Sequence, residues 1–562
     1  MFSSMLQHFR FPGRNPRNAA VSDRGTGNLG FVLPVVCIVI LFLTFQAYTF
    51  TELMLVENIA SVASEKSRIA VSLSDSGISY ATSRITPHES DDAVPRASNE
   101  WRVRLPSGQG SGGGEFDVLS FNAATGVWSF GCVDETCKLN LNELPLGIEQ
   151  ALEARRMLLC LPMVTPRLAD AILDWIDTDD EPRPLGAESA YYSSLQRDAQ
   201  ARNRPLDHLS DLLGVRGMTE EILFGRDRKS VWANPPRALS PSSNAQRQRV
   251  SEPQRQRVRG TSASDEICLE QFLTVYGGPS FITAGGDEKI IINHPDLIAL
   301  FDSVETKFGE QVATYVVAYR LYGPQDKSSL PSDDFLIDEV AAAESRGQRQ
   351  AGLNQAKEGA EKEQNEATRG LLKIKSSGDY KVRSIYELIG VPVQLPKEYN
   401  FAELSSPWKS NARNYQQLVP SLQSMFSFYD ATPINVKVNV NLAPIEVLNA
   451  IPGIEDGLAD HIVKMRTKLG LTNNSELTAA SSSIDWLRSE GVLTMDQLRT
   501  YAPYMTVRGN AFRFLSTGRL LSTGESFCQE VVIDLRQFPA LVSHCIPVHT
   551  HASGLAVGNG TP

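Results

Sequence analysis

The chain has 562 residues, 42% of them hydrophobic and 21% charged, and a formal net charge of -11. A single hydrophobic core stops growing at roughly 250 to 300 residues, so this length implies several domains. The acidic balance excludes phosphate-dominated nucleic-acid binding as the main activity, leaving room only for local basic patches.

In chain order, residues 1–30 form a basic leader with Arg10, Arg14, Arg17 and Arg24 against a single Asp23. FVLPVVCIVILFLTFQAYTF (Phe31–Phe50) follows without a charge, long enough as a helix to cross about 30 Å of hydrocarbon. Cations ahead of such a helix hold their flank in the cytoplasm and send the remainder outward. A discarded signal peptide has a shorter apolar core and a small-residue cleavage site. Here the helical pattern continues instead, through Leu53, Val56, Ile59, Val62, Ile69, Leu73 and Ile78. Residues 31–86 therefore predict a retained membrane helix and an amphipathic stem.

Residues 87–142 predict a β region. Of seven cysteines, Cys37 lies in the membrane segment and six lie outside it. In an oxidising compartment Cys132 and Cys137, flanking the turn VDET, would bridge adjacent strands, with Cys528 and Cys545 as a looser second pair and free thiols as the alternative. No C-x-x-C pair supports a zinc site.

Residues 143–225 predict a helical domain that repeats. LPMVTPRLADAILDW (Leu161–Trp175) lies over IPGIEDGLADHIVKM (Ile451–Met465), matching Pro162, Leu168, Ala169, Asp170 and Ile172 to Pro452, Leu458, Ala459, Asp460 and Ile462. The strand-like KLNLN (Lys138–Asn142) and KVNVN (Lys437–Asn441) precede these two copies, and a weaker third opens at KIIIN (Lys289–Asn293) and runs to Arg320. HLSDLLGV (His208–Val215) and SIYELIGV (Ser384–Val391) close two units alike, and MDQLRTYAPYMTV (Met495–Val507) closes the remaining one. The repeated module is a strand followed by a small helical bundle. Residues 226–266, with QRQRV twice among Pro and Ser, read as a flexible linker. Residues 267–400 form the degenerate repeat, whose charged insert 341–365 is a solvated helix or a disordered segment. Residues 401–505 read as a helix-hairpin-helix-like domain, 506–548 as alternating β-strands and 549–562 as a disordered tail. The run HCIPVHTH (His544–His551) is read as disordered C-terminus in preference to a transition-metal site.

Two stretches carry chemistry. DWIDTDDEPRPLGAESAYY (Asp174–Tyr192) places Asp177, Asp179 and Asp180 at close spacing, with Gly186 allowing a turn that returns Glu188 to the same centre. Calcium takes six to eight hard oxygens, which such a loop supplies, with Trp175 and Tyr191 packed behind it. The EF-hand order is missing, Asp174 reads as a helix-face residue, and an acidic solvated loop is the alternative. Pro452, Gly453 and Ile454 form a PGI turn of helix-hairpin-helix type, whose second helix offers N–H groups to a phosphate, with Lys464, Arg466 and Lys468 as cations. Copy one has Met163 in place of the glycine and carboxylates beyond it, so the copies cannot share DNA binding. Nothing in the sequence predicts a pocket that would push the pKa values of paired carboxylates apart, and no Gly-rich phosphate loop, HExxH or GxSxG occurs, so no enzyme is expected.

The ordered set of Gly30 with Phe31, the long helix ending near SDSGISYA, GCVDETCKLNLNELP, DWIDTDDEPRPLGAESAYY, NRPLDHLSDLLGVRGM, VNVNLAPIEVLNAIPGI and YMTVRGNAFRF resembles the general secretion pathway protein K family, the large minor pseudopilins of bacterial type II secretion. The resemblance implies an α+β fold: a transmembrane, pilin-like long helix with an antiparallel β-sheet head, plus inserted all-α SAM-like or helix-hairpin-helix domains. It implies cleavage by a prepilin peptidase between Gly30 and Phe31, and methylation of the new N-terminus. Val35 stands where typical pilins carry a glutamate, and that absence suits a subunit at the filament tip. Also implied is calcium held by Asp177, Asp179 and Glu188, with Asp180 and Gly186 completing the site. Expected partners are other minor pseudopilins, the major pseudopilin and the peptidase, with the anchor in the inner membrane and the head in the periplasm. The function implied is structural support of protein secretion across the outer membrane. The alternative is a membrane-tethered helix-hairpin-helix DNA-binding protein of a DNA-uptake or type IV pilus-like system.

Overall fold

The computed structural model describes residues 29–86, 99–106, 113–122, 127–146, 151–195, 200–225, 267–283, 285–325, 367–374, 378–397, 399, 403–409, 415–429, 436–454, 457–469 and 483–548. The leader, the QRQRV linker, the charged insert and the tail from residue 549 lie outside them, apart from Leu29 and Gly30. Two compact units divide the chain, Met1–Lys66 and Ser67–Pro562. Helix α1 (Leu29–Ile85) begins in the first, with Gly30 and Phe31 in its first turn, and from Leu33 it is long and apolar enough to cross a membrane. Leu41, Phe42, Phe45 and Phe50 along it are exposed.

In the second unit, α1 buries Ala70, Leu73, Ser74, Gly77, Ala81 and Ile85, a helical rhythm that turns one face inward. That face lies on a sheet. Strands β1 (Arg102–Leu105), β2 (Gly114–Asn122), β3 (Val127–Phe130) and β4 (Val133–Asp134) precede the helical region, and β5 (Ala511–Leu520), β6 (Ser526–Asp534) and β7 (Leu541–Val548) follow it. Together they make one seven-stranded sheet in the order β1-β2-β5-β6-β7, with β3 on β2 and β4 on β5, every pair antiparallel. Gly518 is required for the close approach of helix to sheet, since a Cβ there would stand 2.2 Å from the Ala70 carbonyl oxygen. Reciprocal hydroxyls lock the contact: Ser74 Oγ donates to the Ser516 carbonyl at 3.0 Å and Ser516 Oγ to the Ser74 carbonyl at 2.7 Å. Trp101, Val118, Phe130, Phe512, Phe514, Val531 and Ile533 fill the core beneath.

The described residues between β4 and β5 form an insertion that follows one plan three times. Leu139–Asn140 pairs in parallel with Leu273–Thr274, Ile290–Ile291 with Phe426–Ser427, and Val438–Asn439 with Met505–Thr506. Each clasp encloses one helical module. In the first module Asn142 Nδ2 donates to the Leu206 carbonyl at 2.9 Å while its Oδ1 accepts the Leu206 N–H at 2.8 Å. In the second, Asn293 makes the same pair with Val382, at 2.8 and 2.9 Å. In the third, Asn441 Oδ1 accepts the Trp486 indole N–H at 2.9 Å. The weak copy at KIIIN is thus a true counterpart, because its last asparagine makes the same strand-to-loop bridge. All three modules share one continuous core running from Leu139 to Met505.

These clasps revise the expected boundaries. Residues 267–276 return to complete the first module, and 415–427 complete the second. The disulfide expectations are also corrected, since all seven cysteines are free thiols. Cys132 packs against the core under the sheet and Cys137 against the core of the modules, so the two side chains serve opposite sides of the VDET segment. Cys528 stands across from Val548 and Cys545 across from Val531, not from each other. The start of HCIPVHTH is likewise ordered: His544 lies in β7 and stacks on His208 with ring centroids 4.5 Å apart.

The repeat reaches down to backbone angles. Gly453 has φ 72° and Met163, its counterpart in copy one, has φ 67°. An L-residue in this left-handed region is strained by about 1 kcal/mol or more. Met163→Gly is therefore expected to stabilise the first module by about 0.5 to 1 kcal/mol after the entropy of the added glycine is subtracted, read as a raised melting temperature.

Candidate metal centre

Helix α2 (Ala151–Leu159) and helix α3 (Pro166–Ile176) pack at the start of the first module. Thr165 caps α3 by accepting the Leu168 N–H at 3.2 Å, and Pro166 follows at a position where a missing N–H costs nothing. One turn apart on the helix, Asp170 and Asp174 point to the same side and both are buried. Arg155 of α2 donates to Asp170 at 2.5 Å. Asp177 forms the C-cap of α3, and the chain then runs as a loop to helix α4 (Ser189–Leu195).

That loop folds back over the helix end. Asp174, Asp177 and Glu188 bring one carboxylate oxygen each within 4.8 Å of one another, and all three residues are buried. Arg183 enters from the loop, its Nη1 donating to Asp174 Oδ1 at 2.7 Å and Asp177 Oδ2 at 2.5 Å. Gly186 is needed here for space, because a Cβ would stand 1.8 Å from Asp174 Oδ2. Behind the loop Trp175 meets Tyr192 edge-on at 5.0 Å, and Arg216 lies 4.5 Å over the Tyr191 ring and donates to the Gly186 carbonyl at 3.2 Å.

Asp177 Oδ1 and both oxygens of Glu188 are buried and accept no hydrogen bond among the described residues. Buried oxygens left in this state are costly unless a cation fills the gap, so the donor set fits a hard divalent ion. Burial, then the charges of Asp174, Asp177, Asp180 and Asp179, push the Glu188 carboxyl up to about 8. Burial also raises Asp174 and Asp177, with Arg183 opposing it.

Three sequence expectations change. Asp174, read as a helix-face residue, is in the cluster, because the loop covers that face. Asp179 and Asp180 are exposed and lie outside the three-residue cluster. Asp179 Oδ1 accepts the Glu181 N–H at 3.0 Å and Asp180 Oδ1 accepts the Ser189 N–H at 3.2 Å, so both shape the turn. Asp177 and Glu188 are in the cluster, and Gly186 provides the space beside Asp174. Missed entirely was Arg183, whose place between two acids nine and six positions away on a proline-bearing loop carries no periodic signal.

At the PGI turn, Pro452, Gly453 and Ile454 join helices Ile445–Asn449 and Leu458–Lys468, and Tyr501 donates to the Gly453 carbonyl at 2.9 Å. Arg466, expected to face a phosphate, is buried instead and donates to the carbonyls of Val440 at 3.1 Å and Ala443 at 2.6 Å. This cation fastens the third module's helix to its own strand.

The class defined by these features is a long apolar helix carrying a helix-on-sheet head, with helical modules inserted in the sheet and an acidic loop in the first of them. Residues 137–224, which contain that loop, match the family model described as type II secretion system (T2SS), protein K. No curated protein matches the chain. Among solved structures, it is similar to a chain in the crystal structure of the GspK-GspI-GspJ complex from the enterotoxigenic Escherichia coli type 2 secretion system, at 11% identity and a TM-score of 0.35, over 87% of this chain and 99% of that one.

Proposed function

We propose that this protein is a minor pseudopilin of type II secretion, a structural subunit that assembles and does not catalyse. The observation that carries the reading is the protein K match over residues 137–224 in a chain that also begins with a membrane-length apolar helix. Anchored once in the inner membrane with its head in the periplasm, the subunit would pack α1 against the helices of other minor pseudopilins and the major pseudopilin. Exposed apolar side chains along α1 support that role, since helices associate in lipid through close packing. Prepilin peptidase would cut between Gly30 and Phe31, methylation would follow, and Val35 would suit the tip of the pseudopilus, where the subunit aids secretion across the outer membrane. The helical modules would be of the SAM-like or helix-hairpin-helix kind, without DNA binding. Calcium is the proposed cofactor, held by Asp174, Asp177 and Glu188.

The deciding experiment isolates the native protein from its membrane and identifies what comes with it. Cleaved chain beginning at Phe31, together with small pilin-like subunits, is the expected result. An uncleaved chain in cells with active prepilin peptidase, accompanied by no pilin-like partner, would sink the proposal. A steep, salt-sensitive gel shift of DNA would move the assignment to the DNA-uptake alternative.

A further inference from the structure

We propose that Arg183 is the specificity-determining residue of the acidic loop, a tethered cation that sets the charge a bound metal must match. The inference rests on the calcium reading and goes beyond it. Once a metal has displaced the Glu188 proton, three ionised carboxylates, those of Asp174, Asp177 and Glu188, meet one guanidinium, which leaves two net negative charges. One divalent ion neutralises that set; a monovalent ion leaves it short and a trivalent ion overfills it.

The geometry divides the cluster into two sides. Arg183 holds one oxygen of Asp174 and one of Asp177, and its own backbone N–H reaches Asp174 Oδ2 at 3.2 Å. Left over are Asp177 Oδ1 and both oxygens of Glu188, buried and accepting no hydrogen bond among the described residues. The amide oxygen of Asn203 is likewise buried with no hydrogen-bond partner among the described residues, while its Nδ2 is fixed on the Asp179 carbonyl at 2.7 Å. An amide oxygen and a bidentate carboxylate are ordinary calcium donors. The guanidinium thus satisfies one side and leaves the other, with two charges to match, for the ion. Because Arg cannot lose its proton, the contribution of Arg183 itself does not vary with pH.

Repulsion between Arg183 and a bound ion scales with the charge of the ion. Its removal therefore strengthens binding of a trivalent ion by about one and a half times as many decades as binding of a divalent one. The test titrates the full chain in detergent with Ca²⁺ and with Tb³⁺, by calorimetry and by terbium luminescence, for the native protein, Arg183→Gln and Arg183→Lys. Arg183→Gln is expected to bind Ca²⁺ roughly tenfold more tightly and Tb³⁺ roughly thirtyfold more tightly, and to melt lower in chelator. Arg183→Lys, which keeps the charge, should retain the native Tb³⁺ to Ca²⁺ ratio. An unchanged ratio in Arg183→Gln, or weaker Ca²⁺ binding by it, overturns the assignment of Arg183 while leaving calcium in place. Native protein that binds neither ion removes the calcium reading itself.

Discussion

Glu135→Ala is expected to destabilise the head by about 3 to 5 kcal/mol, the cost of removing one member of a buried ionic network. Glu135 is fully buried. Its Oε1 accepts from Lys138 Nζ and Arg513 Nε, each at 2.9 Å, and its Oε2 accepts from Thr274 Oγ1 at 2.6 Å. Arg513 of β5 reaches on to Glu530 of β6 at 2.7 Å and to Glu270 at 3.3 Å, with Tyr276 5.7 Å away over its ring face. These residues tie the sheet, the VDET segment and the closing clasp of the first module into one knot. Without Glu135, Lys138 loses the ion pair that justifies its burial.

A pH dependence follows with a definite sign. Burial alone would raise the Glu135 carboxyl, but Arg513 and Lys138 outweigh it and hold the group at about 2, below its ordinary value of 4.5. A depressed carboxyl contributes stability that is full above about pH 4.5 and is lost as pH falls toward 2. Acid melts of the native protein should show that loss, and Glu135→Gln should flatten it. Acid melts of equal slope for the two proteins would refute the network as its source.

The second large effect is expected at the acidic loop. Calcium at a hundred times its Kd should stabilise the native protein by about 2.7 kcal/mol, and Glu188→Ala or Asp174→Ala should abolish the gain. Glu188, pushed up to about 8, binds a proton that the metal must displace. Calcium affinity should therefore rise by up to about tenfold per pH unit and level off above pH 8. In chelator the sign reverses: a raised carboxyl contributes stability that is full below its ordinary value of 4.5 and is lost as pH rises through 8. Melting temperatures from pH 6 to 9, with calcium and with chelator, should diverge as pH rises. Parallel curves would count against a metal at these three carboxylates. Gly186→Ala provides a separate check, because its Cβ would strike Asp174 and should abolish the calcium response without removing a single donor.

Much of this protein could be read from local pattern. The apolar run from Phe31 to Phe50, the stem rhythm through Leu73 and Ile78, and the repeat of Pro162 and Asp170 in Pro452 and Asp460 depend on spacing within one segment, and period survives in a single chain. The faint copy at KIIIN was legible for the same reason. That Asp177 and Glu188 come together was legible because a glycine-bearing turn between them lets one short stretch fold back on itself.

Tertiary structure alone decided the rest, and the reason is the same each time: side chains far apart in sequence had to be placed on one side or another of a packed surface. Glu135 and Arg513 are separated by 378 positions, so no window contains both. Nothing in VDET reveals that Cys132 and Cys137 serve different cores. Arg466 resembles a phosphate ligand until its helix is docked and the carbonyls of Val440 and Ala443 claim it. In the acidic stretch, composition marked a cluster of carboxylates, but only the fold-back over α3 chose Asp174 over Asp179 and Asp180 and set Arg183 between the acids.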